Sequence, residues 1–417
     1  MLTLSAILAT PHGLQRGWLR LDRELITELG YGDPPAGKVI DLGERILAPG
    51  FIDVHVHGGD GGQAAGSDPE QVCAEISRAA RFHASHGTTR MVAATVSDTH
   101  GRLLATVAGI KLAMDRPSPA GAAYLSGADG GGEASALSAA EGGREGLGAS
   151  IAGVHLEGPW LAPQRRGAHD PEVLRHPALE ELDALLVACQ GAIKLITLAP
   201  ELPGADLMIK AARARGIVVS VGHTEASYDQ ARHAFDLGAS HLTHLGNAMP
   251  ALDRRDPGPI GAALNHDSVT MEVIADGEHV HPALLRLVAQ AAPGRMVAIT
   301  DAIAATGLPD GDYRLGELAV RVACGRAVLT DAPQTLAGSV LTMDRAVAKL
   351  IESGIDPQAA LAAATLAPAR VLGEELVRGR IAVGLQADLV VLDRAWSACA
   401  TVVSGRVAHD PERLLAV

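Results

Sequence analysis

The sequence predicts an α/β protein: a (β/α)8 TIM-type barrel with a small β domain formed from both termini. Three observations indicate this fold class. Apolar runs alternate with helical stretches through the middle of the chain, strand-like texture occupies both ends, and metal-binding residue types follow several of the runs. Strands that alternate with helices pair in parallel, so their carboxyl ends lie on one face of the barrel.

The two ends of the chain share a texture of short strands and turns. The strand-like segments there are residues 2–8, 17–21, 38–41, 387–393 and 400–403. No periodic run of helical length interrupts them. We therefore expect a small β domain built from residues 1–50 and 378–417, with a barrel domain at residues 51–377 between them.

The barrel prediction depends on eight strand-like runs. They are residues 51–56, 89–96, 151–156, 193–198, 217–221, 239–245, 269–275 and 296–300. The helical stretches between them are residues 69–85, 171–189, 205–215, 225–236 and 282–291. Eight such units favour a closed barrel, whose active site lies where the strands end. The main alternative is an open doubly wound sheet, but no Gly-x-Gly-x-x-Gly turn follows an early strand.

One segment departs from this alternation. Residues 117–150 are rich in Gly, Ala and Ser and show little apolar periodicity, which predicts a flexible insertion. The segment lies between the second helix and the third strand, which places it on the barrel face opposite the strand ends. We therefore expect no chemistry from it.

Composition and charge narrow the class of function. The 417-residue chain has a formal charge of −13, which argues against nucleic acid or a membrane surface as a partner. Its cysteines, Cys73, Cys189, Cys324 and Cys399, form no paired motif, as expected of reduced thiols in a cytoplasmic protein. Residues 2–9 are apolar but short and lack a basic lead-in, so an opening strand is expected rather than a signal peptide. No segment reaches membrane-spanning length.

The first barrel strand carries the strongest single signal. Residues 49–58, PGFIDVHVHG, place a turn-forming Pro-Gly before an apolar run that ends in two histidines. His55 and His57 are two residues apart and therefore project to the same side of a strand. Two imidazoles at this spacing can bind one metal ion, whereas the plain alternative is a half-buried strand with two incidental histidines.

Four further strand ends favour the metal hypothesis. The third strand ends in His155 and Glu157, the fifth reaches His223, the sixth His244 and the eighth Asp301. Together with the first strand, they bring five ligand-bearing ends to one face of a parallel barrel. If these residues were there by chance, a separate coincidence would be needed at each of the five strand ends.

These motifs resemble those of the amidohydrolase superfamily and, within it, those of the N-acetylglucosamine-6-phosphate deacetylases. The resemblance runs from near Ala48 to near Asp393. It is carried by PGFIDVHVHG, HLEGPWLAPQRRGAH, VGHT, HLGNAMP followed by DRRDPG, ADGEHV, ITDA, LAGSVLTMDRA and GRIAVGLQADLVVLD. The fold it implies is a metal-bearing (β/α)8 barrel with a small β-sandwich built from both termini.

The resemblance also implies metal ligands and a catalytic group. Glu157, His223 and His244 match the principal ligands, whereas His55 and His57 match a pair that holds a second ion in some family members and is replaced in others. A divalent metal, Zn or Fe, with one or two ions per subunit is therefore expected. Asp301 matches the catalytic acid/base, which takes a proton from water and later passes it to the departing amine.

Substrate contacts are implied in the same way. His169 matches the histidine that contacts the acetyl carbonyl, and Arg255 matches the phosphate contact, where a bidentate cation suits a sugar phosphate. All matched substrate positions are Ala168, His169, Asn247, Ala248, Arg255, Asp276, Gly277, Glu278, His279, Leu336, Ala337 and Gly338. The implied activity converts N-acetyl-D-glucosamine 6-phosphate to D-glucosamine 6-phosphate and acetate, in a homodimer of amino-sugar metabolism.

Three alternatives stay open. Gly246 stands where family members usually carry an aromatic residue, so the galacto epimer competes as substrate. A cyclic-amide hydrolase of the dihydroorotase type usually carries a carboxylated lysine at the fourth strand end, but Lys194 begins that strand here. The third alternative is not an enzyme but a non-catalytic relative whose barrel is purely structural. The complete set of predicted metal ligands, together with Asp301, argues against it.

Several polar residues have ordinary explanations. Arg254 and Arg255 are adjacent on a predicted loop, where a solvated surface pair competes with phosphate binding. The histidines to which we assign no part in the site are His83, His86, His100 and His241. In a regular strand His241 has the opposite parity to His244, so the two would face different ways.

Overall fold

The barrel is built from eight parallel strands whose order in the sheet follows the chain. The computed structural model describes residues 2–116, 124–125 and 147–416. The barrel strands, first to eighth, are Phe51–Val56, Thr88–Thr95, Ser150–Glu157, Ile193–Leu198, Val218–Val221, His241–Leu242, Thr270–Ile274 and Met296–Ile299. A parallel bridge between Val56 and Ala302 connects the end of the eighth strand to the first. The predicted (β/α)8 barrel is confirmed.

Helices surround the barrel strands. Within the described residues they are α1 Pro69–Ser85, α2 His100–Asp115, α3 Leu179–Ala188, α4 Ala205–Ala214, α5 Tyr228–Leu237, α6 Gly258–Leu264, α7 Pro282–Ala291, α8 Met343–Glu352, α9 Pro357–Ala364 and α10 Leu366–Val371. The bounds of α1 follow from its sequence, because Asp68 accepts a hydrogen bond from Glu70 N and Pro69 stands at the first position. Buried Val72, Ile76 and Ala79 then recur at helical spacing.

Two helix predictions need correction. The predicted helix 171–189 begins only at Leu179, and a 3-10 turn occupies Pro171–Val173. Pro171 and Pro177 disfavour the helical conformation in the residues that precede them. A second helix was expected before the third strand, but no bounds were predicted for α2, because its apolar residues are not confined to one face.

The two ends of the chain form one seven-stranded sheet. Its strands are Leu2–Thr10, Gly13–Asp22, Leu25–Tyr31, Val39–Pro49, Leu389–Leu392, Ala398–Val403 and Arg406–His409. The two ends meet in an antiparallel pair in which Leu47 is opposite Val391. The predicted joint sheet is therefore confirmed. Domain bounds at residues 1–50, 51–377 and 378–417 stay our proposal.

A three-stranded antiparallel sheet follows the eighth barrel strand and was not predicted. Its strands are Gly311–Leu315, Leu318–Ala323 and Arg326–Leu329. Its buried side chains Val320 and Leu329 belong to one apolar cluster with Val96, Ala168 and Ile303. These last three residues follow barrel strands at their carboxyl ends, so the small sheet packs beside the mouth of the barrel.

The predicted insertion at residues 117–150 lies mostly outside the described residues. Of that range, residues 124–125 and 147–150 are described. Leu125 is buried in the core of the seven-stranded sheet, and its N–H donates to Gly405 O at 2.8 Å. Among the helices in the described ranges, none combines the length and the hydrophobicity that crossing a membrane requires.

A buried ion-pair network joins the barrel to the seven-stranded sheet. Arg378 is 7% exposed and pairs with Asp388, which is 5% exposed. Arg378 Nε also lies 2.8 Å from Glu374 Oε2, and Glu374 Oε1 pairs with Arg90 of the second barrel strand at 2.5 Å. Asp388 Oδ1 accepts the N–H of Ser404, in the turn after strand Ala398–Val403, at 2.7 Å.

This network predicts a large stability loss for Arg378→Met. The substitution leaves the carboxylate of Asp388 buried without its cation, which costs about 3–5 kcal/mol of unfolding free energy. The matched control is Arg321→Met, since Arg321 pairs with Asp312 at 2.7 Å with both side chains more than half exposed. Solvent screens that exposed pair, so its loss should change the stability little. Urea denaturation measures both changes, and equal losses in the two variants would contradict the network.

Candidate active site

Six side chains meet at the carboxyl end of the barrel. They are His55, His57, Glu157, His223, His244 and Asp301, and all of them are buried. His55 and Glu157 belong to the first and third strands, whereas His223 and Asp301 come two residues after the fifth and eighth strands end. The parallel barrel therefore brings together side chains that are up to 246 positions apart, the separation of His55 and Asp301 (301 − 55).

Glu157 lies at the centre of this cluster. Its Oε1 is 3.2 Å from His223 Nε2 and 3.1 Å from His244 Nε2. Its Oε2 is 3.1 Å from His57 Nε2, and that nitrogen is also 3.1 Å from Asp301 Oδ1. One carboxylate thus faces two groups of ligand atoms, with His223 and His244 on one side and His57 and Asp301 on the other.

The other ring nitrogens fix the tautomers of these histidines. His57 Nδ1 lies 3.0 Å from Ala94 O, and His223 Nδ1 lies 2.8 Å from Arg165 O. A carbonyl oxygen only accepts, so each Nδ1 carries a proton and donates it. In the neutral rings Nε2 then presents a lone pair to the oxygens of Glu157. Acceptors facing acceptors at this distance repel unless a cation lies between them.

A metal ion fits this arrangement. His223 Nε2 and His244 Nε2 are 3.0 Å apart, and His55 Nε2 and His57 Nε2 are 3.2 Å apart. Metal–nitrogen bonds of about 2.1 Å place neighbouring ligands of a tetrahedral site about 3.4 Å apart. His55, His57 and Asp301 each offer a ligand atom within 4.8 Å of the others. The cluster therefore has the donor set and the spacing of one or two divalent metal sites.

His169 differs from the other histidines of the cluster. Its Nδ1 accepts the N–H of Ser97 at 3.1 Å, so its proton is on Nε2. Nε2 lies 3.4 Å from Glu157 Oε2. A ring N–H at this position is a hydrogen-bond donor to an oxygen atom, which suits a substrate carbonyl better than it suits a metal.

Electrostatics sets the charge state of the cluster without metal. Burial lowers the pKa of His57, but hydrogen bonds to Asp301 and Glu157 outweigh burial and raise it to about 9. Burial raises the pKa of Asp301, yet the charges of His55 and His57 hold it below its usual value. Asp301 is therefore ionised at neutral pH, as a proton acceptor must be.

Strained backbone accompanies the site. Non-glycine residues with positive φ include His223 at 48°, His244 at 26°, Ala248 at 51° and Asp301 at 52°. Such conformations cost about 1–3 kcal/mol each and persist where the surrounding structure enforces them. His223, His244 and Asp301 each come two residues after a strand end, and this backbone conformation accompanies the turn that brings their side chains to the cluster.

The loop at residues 336–338 packs against Asp301. The N–H of Ser339 donates to Asp301 O at 2.8 Å. Gly338 has φ of 58°, and a Cβ there would lie 2.8 Å from Asp301 O. Gly338 therefore lies beside the acid/base candidate, and only glycine fits there, whereas Leu336 and Ala337 pair with the third strand of the three-stranded sheet. Ala168 lies between Gly167 and His169, and a Cβ on Gly167 would approach both the His223 ring, at 3.0 Å, and Ala248, at 3.9 Å.

Other sequence-predicted residues lie in separate turns. Arg255 is exposed and lines an open depression of about 430 Å³ with Ser227, Tyr228, Asp229, Asp256 and Pro257, and no ligand candidate of the cluster is among the lining residues. Asn247 donates through Nδ2 to His244 O at 3.2 Å, which stabilises the loop after the sixth strand.

The turn at residues 276–279 is held by its own side chains. Asp276 accepts the N–H groups of Glu278 and His279 at 2.9 Å each, and its carboxylate pairs with the His279 ring at 2.7 Å. Gly277 has φ of 90°, which the turn requires. Arg326 of the three-stranded sheet approaches Glu278 at 3.7 Å.

Sequence reasoning missed a second layer of buried polar groups. Glu272, in the seventh strand, accepts from His55 and from His241, each at 3.1 Å. His155, noted only as a strand-end histidine, pairs with Thr197 at 2.7 Å instead. The assignment of no role to His241 assumed regular alternation, but the sixth strand ends at Leu242. A lone glutamate inside the apolar strand Thr270–Ile274 was the available signal.

Comparisons with known proteins agree with this geometry. A model of the Amidohydrolase family matches residues 46–408. The chain is 34% identical to an N-acetylgalactosamine-6-phosphate deacetylase of Escherichia coli O157:H7, over 94% of this chain and 96% of that one. It is 35% identical to an N-acetylglucosamine-6-phosphate deacetylase of Vibrio furnissii, over 91% of this chain and 87% of the relative.

A solved structure gives the same picture. It is a mutant N-acetyl-D-glucosamine-6-phosphate deacetylase of Mycobacterium smegmatis in complex with N-acetyl-D-glucosamine-6-phosphate. The TM-score is 0.85 and the identity 36%, over 98% of this chain and 99% of that one. The family match, the relatives and the shared fold together show that this chain belongs to the amidohydrolase family.

Proposed function

We propose that this chain is a metal-dependent deacetylase that hydrolyses N-acetyl-D-glucosamine 6-phosphate to D-glucosamine 6-phosphate and acetate. The observation that carries the proposal is the set of ring nitrogens that surround Glu157 at metal-ligand spacing, with the ionised Asp301 beside them. Relatives with this activity in their names, and a structure with this compound bound, support the substrate.

The residues divide the reaction between them. Glu157, His223 and His244 would hold a divalent metal, with His55 and His57 available for a second ion. When bound, the metal lowers the pKa of a water molecule toward about 7 and polarises a carbonyl oxygen. Asp301 accepts the proton of the attacking water and returns it to the departing amine. His169 donates its Nε2–H to the acetyl oxygen as negative charge develops there.

Substrate recognition completes the proposal. Arg255 binds the phosphate, because a guanidinium offers two parallel N–H groups to a phosphate. The turn at Asn247 and Ala248, the turn at residues 276–279 and the loop at residues 336–338 border the sugar. The galacto epimer is the comparison substrate for two reasons. One relative is named an N-acetylgalactosamine-6-phosphate deacetylase. Gly246 is also exposed, and a Cβ built on it would have no atom within 4 Å, so no side chain closes the pocket at this position.

We further propose Zn or Fe as the metal, a homodimer as the assembly and the cytoplasm as the location. Imidazole and carboxylate ligands suit both metals. All four cysteines lie in the described residues and none forms a disulfide, as in proteins of reducing compartments. The homodimer has its support in the family resemblance.

Acetate release tests the function directly. Wild-type protein should release acetate from N-acetylglucosamine 6-phosphate faster than from its galacto epimer or the unphosphorylated sugar. Asp301→Asn should keep its metal and lose at least about 100-fold in kcat, because an amide cannot accept the proton. An active Asp301→Asn protein would overturn the role of Asp301. Wild-type protein that contains metal but releases no acetate would overturn the proposed activity.

The phosphate assignment predicts a change in KM. Arg255→Ala should raise KM for the phosphorylated sugar about 10- to 100-fold, since a hydrogen bond to a charged group contributes about 1.5–3 kcal/mol. The neighbouring Arg254→Ala is the matched control and should leave KM within about twofold, as a solvated surface charge does. Equal KM increases for phosphorylated and unphosphorylated sugars would refute phosphate binding at Arg255.

The raised pKa of His57 predicts that metal uptake releases protons. Below pH 9 the metal-free ring is protonated, and a metal needs the lone pair that the proton occupies. If one proton is released per metal ion, the metal affinity rises about tenfold for each unit of pH. This rise ends above the pKa of His57, where the ring is already unprotonated. Calorimetric titration at pH 7 in buffers of different ionisation enthalpy counts the protons. Binding without proton release would show that His57 is not a ligand.

A further inference from the structure

Glu272 is a buried carboxylate that the proposed reaction does not use. It lies in the middle of the seventh strand, Thr270–Ile274, and is fully buried. Burying a carboxylate without water costs several kcal/mol unless hydrogen bonds compensate the loss. Buried strand positions are therefore normally apolar, and Glu272 is an exception. The hydrogen-bond partners of Glu272 indicate the role of the buried carboxylate.

The carboxylate of Glu272 has three donors. Its Oε2 lies 3.1 Å from His55 Nδ1 and accepts the backbone N–H of His244, also at 3.1 Å. Its Oε1 lies 3.1 Å from His241 Nε2. Because a carboxylate only accepts, His55 donates from Nδ1, and its Nε2 is left to face His57 and Glu157.

The contact with His244 has a particular consequence. The ring Nδ1 of His244 is buried with no hydrogen-bond partner among the described residues. The ring is therefore oriented through its backbone, which has φ of 26°, and the N–H of that strained residue donates to Glu272. Hydrogen bonding to Glu272 thus helps hold the turn that directs His244 Nε2 toward Glu157.

We propose that Glu272 is a positioning residue that fixes the ring tautomer of His55 and the backbone of His244, and so sets the metal affinity of both ligand groups. The inference rests on the proposed metal-dependent function of the same site. Outer partners of metal ligands commonly change metal affinity about 10- to 100-fold when they are replaced. Glu272 contacts one ligand candidate, His55, through its ring and another, His244, through its main chain.

Two substitutions separate this role from simple packing. In Glu272→Gln the amide oxygen replaces Oε2 and keeps both the His55 and the His244 donors, whereas the NH2 group faces His241, whose ring can exchange its proton. Only the charge is lost. In Glu272→Leu three donors lose their acceptor, although an apolar side chain of similar size restores packing.

The experiment titrates Zn²⁺ into chelator-stripped protein in competition with a chromophoric chelator. We expect the zinc Kd to rise about tenfold in Glu272→Gln and at least about 100-fold in Glu272→Leu. Asp344→Asn is the control, since Asp344 is a buried carboxylate that contacts His86 and Thr342. It should change the zinc Kd less than twofold. Circular dichroism of the metal-free proteins reports whether each variant is folded.

The outcomes distinguish this inference from the proposed function. If wild-type protein binds no zinc or iron, the metal-dependent function itself fails. If wild-type protein binds zinc and folded Glu272→Leu binds it as tightly as Asp344→Asn, the positioning role is overturned. If Glu272→Leu does not fold, Glu272→Met, an unbranched side chain that likewise offers no carboxylate oxygen, decides in its place, and a zinc Kd equal to that of Asp344→Asn overturns the inference.

Discussion

The structure depends on one electrostatic constraint at the mouth of the barrel. The Nε2 atom of His223, a ring whose pKa burial lowers to about 4, carries no proton at neutral pH and faces Glu157 Oε1 at 3.2 Å, in surroundings from which water is largely excluded. Acceptors in this arrangement repel one another unless a cation is present, and repulsion is strong in a medium of low polarity. The carbonyl oxygen of Arg165 accepts from Nδ1 of this ring and prevents it from relieving the repulsion by changing tautomer. A site of this kind is built for a cation.

The scaffold maintains that constraint through elements far from the site. The parallel sheet brings five strand ends together, and Glu272 ties the first strand to the loop after the sixth from inside the barrel. On the outside, the network of Arg90, Glu374, Arg378 and Asp388 fixes the seven-stranded sheet to the barrel. Strained residues after the strand ends persist because these surroundings hold them.

The sequence was informative wherever a local pattern determined the structure. Strand periodicity predicted all eight barrel strands, and the histidine pair at His55 and His57 marked the first strand end of the candidate site. The three-stranded sheet was not predicted, since its strands follow the eighth barrel strand with no helix between them. Glu272 and His241 were missed because their partners are distant in sequence. Their hydrogen bonds depend on how neighbouring strands align, which no single segment encodes.

The most direct test is an anomalous difference map from crystals of the metal-loaded protein, recorded at the absorption edge of the bound metal. The account predicts a peak about 2.1 Å from the Nε2 atoms of His223 and His244 and from a carboxylate oxygen of Glu157. A second peak near His55, His57 and Asp301 would identify a two-ion site. Metal-replete crystals with no peak at Glu157, or with the metal elsewhere, would contradict the account.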